Sequence, residues 1–291
     1  MLKHIALILT LLTYVIIGGS TFAKDKAIVM GFKNISKGQL IGDLRSNEGL
    51  YKNLFKMAAK ELDYNLKIVR LPKKRVHLAL KKGTIDFYPG SSFSKERSKY
   101  LYYLPNGLKT KEVLVSLSEQ REISNMSNAN GRLMVGLGSS KIKWDEKYKD
   151  LKVNIMSKLS MPIVVKALKS NRGDFYIADI EIVDSYKKEN SINDLSSIGI
   201  RIHENAISRN FIKMYLGFSR NSPLFKERKN EYFNTQREIS ISNFPTKIDE
   251  DCIAYKLYKI LVKYEKNGTT KALYQKHHKA QKALKIGKTN P

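Results

Sequence analysis

A single cysteine, Cys252, in 291 residues excludes an internal disulfide, so packing alone has to hold the fold together even in an oxidising compartment. The expected place of that thiol is a buried helix. Histidine is scarce too: His4, His77, His203 and the adjacent His277 and His278 offer no spacing that assembles a metal set. The chain lacks a Gly-x-Ser-x-Gly elbow, a His-Glu-x-x-His helix and a Gly-x-x-x-x-Gly-Lys phosphate loop, which removes three common enzyme classes. No fixed-period repeat is present, so solenoids and coiled coils drop out. Acidic residues are few, 27 against 53 Lys plus Arg, for a net charge of +26. Such a surface attracts acidic solutes, anionic lipid or nucleic acid. The lysines are nevertheless scattered, and only residues 276–288 are locally dense, which is the pattern of a solvated lysine-rich surface.

Long apolar runs are confined to the N-terminus. Lys3 supplies a positive start, residues 5–17 are almost wholly apolar, and Thr21-Phe22-Ala23 offers cleavage positions, which together read as a secretory signal peptide over residues 1–23. The run falls short of the roughly 20 residues a bilayer crossing needs, and Gly18-Gly19-Ser20 ends it. No cysteine stands near Ala23 to carry a lipid, so release into a periplasm is expected. The remainder is long enough for two domains of ordinary size or one large one.

Along that remainder, residues 26–32 form a short apolar run suited to a buried strand. Leu50, Leu54, Met57, Ala58 and Leu62 fall at helical spacing, residues 65–71 read as a strand stopped by Pro72, and Val76, Ala79 and Leu80 mark a helix closed by Gly83. A strand over 85–88 then runs into an expected turn at Pro89-Gly90-Ser91-Ser92. The rhythm repeats with a strand over 133–137 ahead of Gly138-Ser139-Ser140, a helix opened by Pro162, and a strand over 175–178 ending at Asp179. A late helix carries Ile253, Leu257, Ile260, Leu261 and Tyr264 and ends at Gly268, after which the lysine-rich stretch is expected to fray. Asp249-Glu250-Asp251, just ahead of that helix, fits stabilisation of its positive dipole end better than a metal site.

The stretch 83–105 is the most informative. It presents Gly83, Asp86, Ser92, Ser94, Glu96-Arg97, Tyr102-Tyr103 and Pro105 in an order that resembles the family 3 bacterial extracellular solute-binding proteins, which include the polar amino-acid-binding components of ABC importers. The resemblance implies that Arg97 grips a ligand carboxylate with Ser92 and Ser94 beside it. A guanidinium suits that task, since it gives a carboxylate two parallel charge-assisted hydrogen bonds. Residues 133–140 are similar to the family's strand, glycine and hydroxyl pair, which implies a carboxylate-binding role for Ser139. Residues 171–179 are similar to the segment whose last aspartate meets a ligand's α-amino group, which implies that role for Asp179 and a structural one for Asp174. The family's aromatic wall after the first strand is missing here, leaving Phe32, Tyr88 and Phe93 as aromatic candidates. Arg75, in a Pro-x-x-Arg string, is a further candidate for the cleft.

The expectation is therefore an α/β protein with a two-lobe periplasmic-binding-protein-like (type II) fold and a central ligand cleft. Lobe 1 would comprise residues 24–108 and 216–291 and lobe 2 residues 109–215, with crossings near 108–111 and 210–216. The expected function is capture of an amino acid or related carboxylate by lobe closure, without catalysis, cofactor or metal. The expected partner is an inner-membrane ABC permease or a sensor, with no nucleic acid, and the state is monomeric. Ligand sensing without transport, or surface binding of an acidic polymer, are the alternatives.

Overall fold

The repeated strand-helix rhythm builds two five-stranded sheets. A computed structural model describes residues 26–42, 46–207 and 209–286, the stretch 278–286 as backbone only, and the expected signal peptide lies outside the described residues. The first half supplies β1 (Ala27–Lys33), α1 (Leu50–Lys60), β2 (Asn65–Leu71), α2 (Lys73–Lys82), β3 (Phe87–Ser91) and β4 (Leu101–Thr110). Then come β5 (Glu112–Leu117), β6 (Gly131–Gly136), the single-turn α3 (Trp144–Lys147), β7 (Leu151–Met156), α4 (Met161–Lys169), β8 (Phe175–Asp179), α5 (Ile180–Glu189) and β9 (Ile200–His203). The chain closes with β10 (Ile212–Ser219), a ribbon of β11 (Glu227–Lys229) and β12 (Thr246–Ile248), then α6 (Ile253–Lys266) and α7 (Thr269–Ile286).

The first sheet has the order β2-β1-β3-β10-β4 and the second β7-β6-β8-β5-β9. In each, three parallel strands are joined by an antiparallel pair, one member of which arrives from the far side of a crossing. The chain passes from the first sheet to the second at Lys111 and returns between His203 and Ile212. Residues 212–215, which the expected boundary assigned to the second lobe, thus sit in a strand of the first sheet. The α/β two-lobe fold with a cleft between its lobes is the one expected.

Local chemistry explains the elements. Leu50, Leu54, Phe55 and Ala58 bury one face of α1 against the first sheet, in a core whose largest fully buried members are Phe32, Tyr51, Phe55, Phe87 and Phe218. In the second sheet, successive residues of β5 alternate between two cores: Val113 and Val115 pack with Met134 and Val164, whereas Leu114 packs with Leu133 and Phe175. Pro162 stands in the first turn of α4, where no amide partner is lost.

Three expectations need correction. Pro89, Gly90 and Ser91 continue β3 instead of turning: the register between Tyr215 and Gly217 of β10 shifts opposite Pro89 and Gly90, and a bulge is where a proline's missing amide costs least. As far as Ile286, the last described residue, the lysine-rich C-terminal stretch is helical in α7, anchored by Leu273 and Tyr274 on the first-lobe core and by His277 Nε2 at 3.0 Å from Asn53 Nδ2. Cys252 is buried as expected but occupies the N-cap of α6, not its interior.

Gly83 ends α2 in the left-handed region at φ +74, its amide donating to Leu80 and Ala79 carbonyls, and a Cβ there would overlap the Asn221 carbonyl. Replacing Gly83 by Ala is therefore expected to cost about 2 kcal/mol, from the αL penalty and the displaced backbone. An unchanged denaturant midpoint in G83A would contradict this account of the α2 terminus.

Candidate functional site

Strand ends and helix starts deliver polar side chains into the cleft. Tyr88 comes from the start of β3 and Ser92 from just past its end, Arg97 from the short 3-10 turn that follows, Ser139 from the turn after β6, and Asp179 from the end of β8. All five line one cavity of about 110 Å3 between the lobes. It abuts a cavity of about 190 Å3, which shares Ser139 and Asp179 and is walled on its far side by Leu133, Leu159, Tyr176 and Ile177.

The other expected residues lie elsewhere. Ser94 does not line the cavity; its Oγ accepts a hydrogen bond from the Arg97 backbone amide at 3.4 Å. Phe32 is fully buried in the first-lobe core, because β1 alternates and Phe32 belongs to its inward face. Its ring stacks on Tyr88 at 5.1 Å, and Tyr88 stacks in turn on His77 at 6.0 Å, so Phe32 backs the wall without forming it. Arg75 is exposed: Lys73 and His77, four residues apart, hold the cleft face of α2, while Val76 and Leu80 hold the core face, which leaves Arg75 to solvent. Asp86 and Asp174 are structural. Asp86 accepts from the Val29 amide and the Ser222 hydroxyl, and Asp174 accepts from the Arg132 amide and guanidinium.

The cleft also holds residues that motif reasoning passed over. Lys33, Lys37, Lys73, His77, Glu112, Lys141 and Lys213 share the cavity wall with Arg97 and Asp179. Lys73 and His77 were findable from their i, i+4 spacing; the lysines carried no signal in a chain so rich in them. Lys37 Nζ lies 2.6 Å from Asp179 Oδ2, with only 8 % of the lysine side chain exposed, an ion pair running from the loop after β1 to the end of β8 and so from lobe to lobe. Lys141 pairs with Glu112 at 2.6 Å. Arg97 Nη2 donates to the Gly138 carbonyl at 2.7 Å, a second tie between lobes. The Ser139 amide donates to the Gly136 carbonyl at 2.9 Å and its Oγ accepts from the Lys141 amide at 3.2 Å, so the amide is already committed while the hydroxyl keeps its proton to donate.

These contacts set the protonation states. Burial alone would raise the Asp179 carboxyl, but Lys37, with Lys141 and Lys33 behind it, holds it below its ordinary 3.8. Burial likewise opposes the Lys37 charge, yet Asp179 and neighbouring acidic groups keep that ammonium well above 10.5. Lys33 is pulled down to about 8 by burial and then by Lys37. Lys73 falls well below its usual range through burial, Lys33, Arg97 and Lys141. His77 drops to about 3, from burial and then Arg97 and Lys73, and is a neutral ring bonded at 3.2 Å to the Tyr100 hydroxyl. Among the described residues no three His, Cys, Asp or Glu gather into a metal site, and no helix is long and apolar enough to cross a membrane.

No family model matches the chain, and no curated protein sequence matches it. Solved structures do. An ancestral arginine-binding protein bound to arginine shares 18% identity at a TM-score of 0.60, over 86% of this chain and 97% of that one. An amino acid ABC transporter substrate-binding protein of Streptococcus pneumoniae bound to L-arginine shares 16% at 0.62, over 89% and 97%. An ancestral amino acid-binding protein, a precursor of cyclohexadienyl dehydratase, shares 16% at 0.58, over 87% and 95%. At such identities the likeness establishes the fold, that of two-lobe amino-acid-binding proteins.

Two outcomes follow from the electrostatics. Asp179→Asn leaves the buried Lys37 ammonium without its counter-charge and is expected to cost about 3 kcal/mol, part of which Lys37→Met restores in the double variant; denaturant melts of the three variants check it, and additive losses would refute the pairing. The pH behaviour follows from signs. Lys37 with a raised pKa stabilises below 10.5 and Asp179 with a lowered one above 3.8, so the pair holds across that window. Lys33 acts oppositely: its penalty is fully present below pH 8 and is relieved as pH rises toward 10.5. The melting temperature without ligand should therefore climb from pH 8 to pH 10, above which the buried tyrosines, ordinarily near 10.0, begin to oppose it.

Proposed function

We propose that this chain is an exported solute-binding protein of the polar amino-acid-binding type, family 3, which closes its lobes on a small carboxylate-bearing ligand and delivers it from the periplasm to an ABC permease. The observation that carries the proposal is the convergence of Arg97, Ser92 and Tyr88 from one lobe with Ser139 and Asp179 from the other on one cavity. Residues separated by more than eighty positions in sequence meet there, in an order that the motif resemblance anticipates. Binding without turnover is the matching chemistry, because His77 is a neutral, stacked ring and both cavity carboxylates are held in ion pairs.

In this mechanism Arg97 is the principal anchor. One guanidinium nitrogen already donates to the Gly138 carbonyl, which aims the group across the cleft and leaves its other N–H donors for a carboxylate. A ligand seated there touches both lobes, so its binding energy is realised only in the closed arrangement and shifts the population toward it. The permease would then read the closed shape.

A carboxylate bound by a charge-assisted pair gains about 1.5–3 kcal/mol per bond, enough for Arg97→Ala to weaken binding by roughly ten- to a hundredfold. The check is a melting-temperature screen of the wild type and R97A against amino acids and small carboxylates, since bound ligand raises the midpoint by mass action. Shifts that persist unchanged in R97A would overturn the proposal.

A further inference from the structure

Building on that reading of the cleft, we infer that its ligand is a small dianion without an amino group, of the dicarboxylate or phosphate class, because the chain's own Lys37 ammonium takes the place on Asp179 that an amino acid's ammonium would need. Among the described residues only two carboxylates line the cavity, Glu112 and Asp179, and each is bound by a lysine at 2.6 Å. Glu181 lies nearby but outside the lining; it is fully buried, its Oε2 accepts the Thr110 hydroxyl at 2.7 Å, and its Oε1 is buried without a hydrogen-bond partner. An incoming ammonium therefore meets no free acid on the cavity lining itself.

For an incoming anion the balance is reversed. With Lys37 and Lys141 neutralised by their acids, the cavity retains the basic groups Lys33, Lys73 and Arg97, close enough together that burial and mutual repulsion hold both lysines below their ordinary pKa, with Lys213 exposed at its edge. None of these four has a carboxylate within salt-bridge distance among the described residues. Lys33 and Lys73 are half-buried and press on each other and on Arg97. Like charges confined in a partly desolvated space repel strongly, and a ligand that brings two negative charges relieves more of that repulsion than one that brings one. A cationic ligand adds to it. The neighbouring cavity, walled by Leu133, Leu159 and Ile177, accommodates a short carbon skeleton between anionic ends, and the acids on its lining, Glu112 and Asp179, are the two already paired with lysines.

Calorimetric titration of the purified protein with succinate, L-aspartate, L-glutamine, L-arginine and inorganic phosphate distinguishes the possibilities. Succinate and L-aspartate differ only by the amino group, so their ratio isolates the role of Lys37 without any substitution. The expected result is binding of succinate or phosphate, succinate at least tenfold tighter than L-aspartate, and no measurable L-glutamine or L-arginine. Lys73→Ala should weaken the anion about tenfold or more, a loss typical of one charge-assisted contact. At pH 8 the bound anion should draw protons onto Lys33 and Lys73, seen as a heat that varies with the buffer's ionisation enthalpy. If instead L-aspartate binds more tightly than succinate, or L-glutamine or L-arginine binds best, and Arg97→Ala abolishes that binding, the ligand's ammonium displaces Lys37; the dianion inference then falls while the solute-binding function stands. Binding of none of the five, or binding indifferent to Arg97→Ala, would remove both.

Discussion

The Lys37–Asp179 ion pair is the contact on which the cleft depends. It is short, largely shielded from water, and made between a loop of one lobe and a strand end of the other. Removing two charges from water costs several kcal/mol each, so such a pair persists only where geometry and surroundings compensate. Here the compensation is built by the backbone. Gly38, next to Lys37, adopts φ +57, and a Cβ at that position would overlap the Ser185 hydroxyl on α5. Only glycine lets the loop come this near to the second lobe, and the approach is what delivers the ammonium to the carboxylate.

The pair also decides the electrical character of the cavity. Taken residue by residue, the wall is a mixture of cations and acids that invites a zwitterion. Once Asp179 and Glu112 are assigned to their lysines, no unpaired acid is left on the wall, and what remains is basic: Lys33, Lys73, Arg97 and Lys213. The overall charge of +26 says little about this, because most of the lysines are dispersed on solvated faces. A handful placed in a desolvated space have an influence that dozens on the surface lack, since the effective dielectric there is lower and the ions of the medium are excluded.

What could be read from the sequence follows the same division between pattern and placement. The strand-helix rhythm was legible because periodicity of two and of 3.6 is written into successive residues, and with it the two lobes and their α/β class. Arg97, Ser92, Ser139 and Asp179 were legible because they sit in ordered strings at strand ends. Phe32 and Arg75 were misassigned for one reason: neither string says which face of β1 or α2 is turned to the cleft, and the inner face took Phe32 while solvent took Arg75. The turn assigned to Pro89 and Gly90 failed because the bulge that accommodates them depends on β10, more than a hundred residues away. Lys37 could not have been found by pattern at all. A lysine in a polar loop is ordinary, and its role arises only when the fold sets it against an aspartate 142 positions later.

An internal ammonium changes how closure is coupled to ligand. Where the ligand brings the cation that an acid requires, an empty closed cleft carries an unpaired carboxylate and reopens. In this chain that carboxylate is satisfied from within, so the acid does not resist empty closure. On the dianion proposal, resistance comes instead from Lys33, Lys73 and Arg97, basic groups that crowd one another more as the lobes approach and water leaves. A ligand biases the equilibrium only through its differential affinity for the two arrangements, and here that difference is the repulsion it cancels. On the dianion proposal closure is keyed to negative charge: the Lys37–Asp179 pair and the Arg97–Gly138 bond tie the lobes together, and the three remaining basic groups set when the closed arrangement is populated.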